Sequence, residues 1–242
     1  MCAAKSVTAA DRKEALINAA EKSIAAGGLA ALRARDLAAD VGCAVGAIYL
    51  AFPDLAALAS AVRERTIRRL EAGAVEAAFP KDEKRGRGRA AAAAALRELA
   101  ALYLRFARDN RNLWQALFDH RAARGVEEAR ALSSIFAAIE AQLRVLAPEA
   151  PDGRRRLYAH ALFAAVHGVI TLGLDEDRWA LSEEELAWQV EAIVAAAATG
   201  FAAQTKQSEP RHHRKSPKPT EIGGAREGHD ATGAVPHARH RR

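Results

Sequence analysis

The first clear pattern of apolar and polar positions covers residues 11–26 (DRKEALINAAEKSIAA). Leu16, Ala20 and Ile24 recur at i, i+4 and i+8, while Lys13, Glu14, Glu21 and Lys22 occupy the opposite face. That spacing predicts an amphipathic helix, and Gly27-Gly28 supplies the residues that end one. Leu29 and Leu32 lead into a short helix of about Arg33 to Val41, Gly42 breaks the chain, and a second short helix runs from about Ala44 to Leu50. Phe52-Pro53-Asp54 reads as a turn with Asp54 as the N-cap of the next helix. That helix carries Leu55, Leu58, Ala59 and Val62 on one face and extends to about Ala78.

Pro80 and the charged run KDEKRGRGR (81–89) predict a surface loop. Helices are expected at about 90–109, 111–121, 126–146, 152–175 and 183–203, the last opened by a capping box of Ser182 with Glu185. No strand-like alternation occurs, and the apolar residues are mostly alanine and leucine, both strong helix formers. The expected fold is therefore all-α. After Gln204 the chain has no Leu, Phe, Trp, Tyr or Met but many basic residues, so 204–242 is expected to be a disordered basic tail.

The net charge of +6 changes this picture little, because residues 1–60 hold six basic and six acidic side chains while 204–242 holds nine basic and four acidic ones. The basic character belongs mainly to the tail, and nucleic-acid binding by the body cannot be argued from charge. The tail histidines, His212 and His213 among them, suggest nickel or zinc binding less than a solvated extension. Cys2 and Cys43 offer neither a disulfide framework nor metal-ligand spacing, and no secretion signal is read at the N-terminus, so a cytoplasmic protein is expected. Leu157 to Leu174 lacks charged residues and is about long enough to span a membrane, but its histidines, glycines and alanines favour a buried bundle helix. No phosphate loop, HExxH, GxSxG or nucleophile–base pair is found, so neither an enzyme nor a cofactor is expected.

The informative segment is RARDLAADVGCAVGAIYLAF, Arg33 to Phe52. Two short helices crossing over a tight turn need a small residue at the crossing, a residue tolerant of positive φ in the turn, and an aliphatic anchor in the second helix. Ala38, Gly42 and Ile48 stand at those places, with Leu37 and Val41 completing the seam. The pattern predicts a helix-turn-helix, whose second helix can enter the major groove.

Residues 11–62 resemble the DNA-binding domain of the tetracycline-repressor (TetR) family, through the leading helix, "RDLAADVG", "GAIY" and "FPD" before a leucine-bearing helix. "AVHGVITLGL" (165–174) resembles one C-terminal group of that family, with Val166 where tryptophan is usual. The resemblance implies an N-terminal arm (1–10), a helix-turn-helix domain (11–57) and an antiparallel helical domain for ligand binding and dimerisation (58–203). It implies that Arg35, before the first short helix, approaches a phosphate. It implies that Ala44, Val45, Gly46 and Ala47 open the recognition helix towards bases and backbone, and that the Tyr49 hydroxyl reaches a phosphate. The implied partners are a palindromic operator in double-stranded DNA, a small-molecule effector and a second copy of the chain docked through the last two helices. The chain departs from the family pattern at Ala44, at Leu50 and Ala51, and at Leu55, where polar or basic residues are usual. Either binding is weak or it relies on the flanking Lys5, Arg12 and Lys13.

Tyr103, Phe106, Trp114, Phe118, Phe136, Tyr158 and Phe163 on the middle helices are candidates to line an apolar effector cavity, with His160 or His167 as a polar anchor. Ordinary core packing is the alternative for each. The expected function is a DNA-binding transcriptional regulator, a repressor released by a small molecule. The alternative is a helical protein with a degenerate helix-turn-helix that binds small molecules, or nucleic acid through its tail.

Overall fold

The computed structural model describes residues 8–79, 88–119, 132–175, 179 and 181–207. Among the described residues there are nine α-helices, one 3-10 turn and no strand: α1 (Ala9–Gly27), α2 (Ala34–Val41), α3 (Val45–Ala51), α4 (Leu55–Ala78), α5 (Arg89–Asp109), α6 (Arg111–Leu117), α7 (Ser133–Leu146), α8 (Asp152–Gly173) and α9 (Glu183–Gln207). All of these belong to one compact unit.

Side-chain caps set three of the helix starts. α1 begins two residues earlier than the apolar period suggests, because Thr8 and Asp11 form a reciprocal capping box. Those hydrogen bonds from Thr8 also hold the Asp11 carboxyl below the usual carboxylate range. Asp54 caps α4 by accepting from the Ala57 amide at 2.7 Å. Ser182 and Glu185 cap α9 reciprocally, at 2.9 and 3.2 Å. The helix expected over 126–146 starts only at Ser133, since Leu132 has non-helical φ −115° and ψ 10°, and residues 126–131 lie outside the described set. The 81–89 loop up to residue 87, the arm 1–7 and residues 208–242 of the tail also lie outside it, while residues 9–10 of the expected arm and 204–207 of the expected disordered tail are helical, as the first turn of α1 and the last of α9.

The buried side chains fall into two cores. The N-terminal core joins Leu16, Ala20 and Ile24 of α1 to Leu37 and Ala38 of α2, Ile48 of α3, and Leu58 and Val62 of α4. Full burial of each large aliphatic contributes about 1.5–3 kcal/mol, enough to hold elements too short to persist alone. The larger core is built from α5, α7, α8, α9 and the second half of α4 (Leu70, Ala74, Ala77, Ala78). Both cores share α4 and α6. Leu113 and Ala116 of α6 pack in the first, whereas Trp114 and Leu117 pack in the second. The boundary expected at 57/58 thus falls inside one continuous helix.

Two devices close the C-terminal helices together. The buried Arg155 directs its guanidinium at the carbonyls of Ala147, Pro148 and Ala150 and at Asp152, so it clasps the α7–α8 turn. The same guanidinium holds the Asp152 carboxyl below its ordinary range. At the far end of α8, a Cβ on Gly173 would come within 2.6 Å of Leu186, so glycine lets α9 approach. Residues 157–174, considered above for membrane insertion, lie in α8 and its cap and bury Ala159, Leu162, Val166 and Ile170. Glu183–Ala203 within α9 is the one helix among the described residues long and apolar enough, by length and composition, to cross a membrane. Its Leu186, Val190, Val194, Ala198 and Phe201 are buried in the core.

Candidate nucleic-acid interface and ligand cavity

α2 and α3 are held by few residues. Gly42, at φ 71° and ψ 38°, occupies the left-handed region that closes α2, and the Cys43 amide donates to the Ala38 carbonyl at 2.9 Å across the turn. Ile48 is wholly buried and is the anchor of α3. α3 then turns by 62° into α4. Asn112 donates to the Ala25 carbonyl and Arg63 to the Leu117 carbonyl, both at 2.8 Å, so α6 is tied to α1 and α4 beneath this unit.

With Ile48 turned inward, the rest of α3 faces out. Ala44, Val45, Gly46 and Tyr49 are exposed and Ala47 is half-buried. Ala44 stands at the N-cap and offers no side-chain hydrogen bond. Arg35 sits inside the first turn of α2 rather than ahead of it, because the helix starts at Ala34. Its side chain and that of Arg33 are exposed, without an ion pair among the described residues. Arg65 and Arg69 differ: they are committed to Glu14 and Glu21 of α1. Lys13 stands 5.3 Å from the centre of the Phe52 ring, at the edge of the same surface.

The three departures from the expected polar pattern separate here. Ala51 and Leu55 pack against the N-terminal core, so apolar residues at those places have an internal use. Among the described residues Leu50 joins neither core and is 88% exposed. Arg33 is a surface feature that periodicity alone does not single out, and its place beside the buried Leu37 of α2 identifies it.

A second feature lies in the larger core. A cavity of about 40 Å³ opens between α4 (Leu70, Ala74), α5 (Leu96, Leu99, Tyr103) and α7 (Ile135, Ile139). Leu162, Phe163 and Val166 of α8 and Val194 of α9 close it, so its wall is almost wholly apolar. Of the aromatic candidates, Tyr103 and Phe163 line this cavity. Trp114, Phe118, Phe136 and His167 lie beside it in one connected ring cluster. Phe106 is half-buried against the same core. His160 is on the other side of Phe136, stacked at 4.3 Å, and Tyr158 packs on Phe201.

The cluster contains one polar chain. Trp114 Nε1 donates to the Tyr103 hydroxyl at 2.9 Å, and that hydroxyl is 2.8 Å from His167 Nδ1. Indole nitrogen is only a donor, so the Tyr103 proton is free to point at Nδ1. We assign the imidazole proton to Nε2, which faces Thr171 Oγ1 at 3.5 Å. Burial pushes the His167 pKa down and the Tyr103 pKa up, so both are held neutral. Among the described residues no charged side chain lines the cavity, so burying an ion there would be costly.

Comparisons with known proteins agree with this geometry. Residues 16–62 match the family model described as "Bacterial regulatory proteins, tetR family", and residues 96–197 match "Tetracyclin repressor-like, C-terminal domain", together more than half of the chain. Among solved structures, a tetR-family transcriptional regulator from Streptomyces coelicolor superposes with TM-score 0.59 at 20% identity, covering 84% of this chain and 91% of that one. A protein of unknown function from Rhodococcus sp. RHA1 gives TM-score 0.59 at 24% identity, with 80% and 94% covered. A transcriptional regulator from Cytophaga hutchinsonii gives TM-score 0.53 at 21% identity, with 79% and 96% covered. At these identities the likeness is one of fold. No curated protein matches the chain.

Proposed function

The chain belongs to the tetR family of bacterial regulatory proteins, and on that premise we propose that it is a cytoplasmic transcriptional repressor whose hold on a palindromic operator is released by a small apolar effector. The observation that carries the reading is the pair α2–α3, hinged at Gly42 and anchored by Ile48, which leaves the face of α3 open to a duplex. In this reading Arg35 and Tyr49 meet phosphates, while Ala44, Val45, Gly46 and Ala47 lie against bases and backbone. The apolar cavity beside Tyr103 and His167 is the effector site, and the reading assigns no reaction and no cofactor to the chain. Residues 11–57 serve as the DNA-binding unit, and 58–203 as the ligand-binding and dimerisation unit.

Two-fold symmetry is supported by the outer faces of α8 and α9. Leu157, Ala161, Ala164 and Ala165 on α8 and Trp188, Ala192 and Ala196 on α9 are exposed. Leu157 and Trp188 are 75% and 71% accessible, an apolar face of the kind that a second copy covers. One observation favours a second reading, a helix-turn-helix without sequence preference: Tyr49 carries the only hydrogen-bonding side chain on α3.

Footprinting the purified chain on the DNA flanking its own coding region, at two salt concentrations, separates the two. A protected palindrome whose affinity falls with salt supports the regulator. Salt-dependent binding with no protected sequence supports the second reading. Tyr49→Phe is expected to keep the fold and weaken binding by about 1 kcal/mol, the net worth of one hydrogen bond.

A further inference from the structure

α3 is unusual in what its open face lacks. Val45, Gly46, Tyr49 and Leu50 form one patch, because 45 with 49 and 46 with 50 are helical neighbours at i and i+4. Val45 is 37%, Tyr49 49% and Leu50 88% exposed. A Cβ on Gly46 would meet nothing within 4 Å, so the chain's own packing does not ask for glycine there. Single exposed leucines are ordinary, but this helix has seven residues and three of its large side chains face outward together.

Hydrogen-bonding readout of base edges uses Arg, Lys, Asn, Gln, Glu or Asp, and α3 has none of these. One base feature in the major groove is apolar, the C5-methyl of thymine. Exposed arginines are nevertheless carried by the neighbouring helix α2. Arg33 and Arg35 at the start of α2 are exposed without ion pairs among the described residues, whereas Arg65 and Arg69 are neutralised by Glu14 and Glu21. The α2–α3 pair thus presents exposed arginines, along with the exposed Asp36 and Asp40, on one helix and an apolar face on the other.

We infer that Val45, the Tyr49 ring and Leu50 read thymine C5-methyl groups. Operator preference is then set by where the thymines lie rather than by hydrogen bonds to base edges. The inference rests on the regulator reading above and specifies how that reading recognises its sequence. Arg33 and Arg35 fix the register and carry no sequence information. Leu50 is explained without a role in the fold.

The test uses the full-length chain and duplexes that it selects from a randomised pool. Thymines are replaced one at a time by uracil, which removes only the methyl. Each contacted thymine is expected to lose about fourfold in affinity, the worth of one buried methyl-sized group. Replacing purines by their 7-deaza analogues, which removes the N7 acceptor, is expected to change little. Leu50→Ala should abolish the uracil effect at one position and leave the others, with an unchanged circular dichroism spectrum as the check on folding. Binding to a preferred sequence that ignores uracil everywhere but weakens with 7-deazapurines would overturn this inference alone. If the pool yields no preferred sequence, this inference and the regulator reading fall together.

Discussion

The two cores solve different problems with different means. The N-terminal one holds helices of eight and seven residues, α2 and α3, with a handful of buried aliphatics, and leaves its functional face bare. The C-terminal one is made of long helices, keeps its polar chain of Trp114, Tyr103 and His167 at least half-buried, and leaves a small apolar cavity between the helices. In the first, each residue near the turn has a single exacting task. In the second, alanine-rich faces let helices approach closely, and the outcome depends on which faces meet. The contrast teaches that an exposed helix face is set by local geometry, whereas an internal cavity is set by which packed faces meet.

Four experiments break or sharpen the contrast. Ile48 and Leu143 are both fully buried, one in each core. Truncating either to alanine is expected to cost about 2–5 kcal/mol. Because α4 and α6 belong to both cores, each variant should melt in one transition, seen alike by circular dichroism and by tryptophan fluorescence. An early partial transition in Ile48→Ala alone would show instead that the N-terminal core stands independently.

Gly42→Ala places a side chain in the left-handed region and is expected to cost about 1–2 kcal/mol. DNA affinity should drop further than stability, because α3 loses its aim. Equal melting temperatures for the two proteins would contradict the role given to this turn. Gly46→Ala goes the other way. Its site has open space, so helix propensity should raise stability by up to about 1 kcal/mol, while the added methyl hinders close approach to DNA. Tighter operator binding by this variant would count against such an approach.

The smallest effect is expected in acid. Burial holds the His167 imidazole below the ordinary histidine value, so the unfolded chain takes up this proton at a higher pH than the folded one. The stability linked to the neutral ring is complete above about pH 6.5 and is lost as pH falls from there towards the folded value. Protonated Nδ1 would also cease to accept from the Tyr103 hydroxyl. His167→Gln should remove this part of the acid sensitivity. An identical fall in melting temperature on acidification in variant and wild type would refute the linkage.

Much of the N-terminal unit was legible in the residues themselves. Gly42 and Ile48 announce the turn and its anchor and Asp54 announces a helix start, as the pair Ser182–Glu185 does in the C-terminal part, and each is a short-range effect involving neighbours in the chain. The Thr8–Asp11 box carries the same kind of signal, one turn ahead of the apolar period. The cavity was less legible. Of the candidates Tyr103, Phe106, Trp114, Phe118, Phe136, Phe163 and His167, only Tyr103 and Phe163 line it, whereas Leu70, Ile135, Val166 and Val194 look like any other core residue. Apolar periodicity says which face is buried and is silent on whether the space behind that face is filled.

From its sequence alone this chain is all-helical, with a hinged helix pair near its start, because caps, glycines and a repeat of about 3.6 residues act over one or two turns. Only the tertiary structure decided that α4 and α6 serve both cores, that Trp114 meets Tyr103 and His167, and that Leu50 is left bare while Ala51 and Leu55 are covered. Those outcomes depend on which distant faces come together. The free energy of such contacts belongs to pairs of surfaces and is not written in either segment by itself.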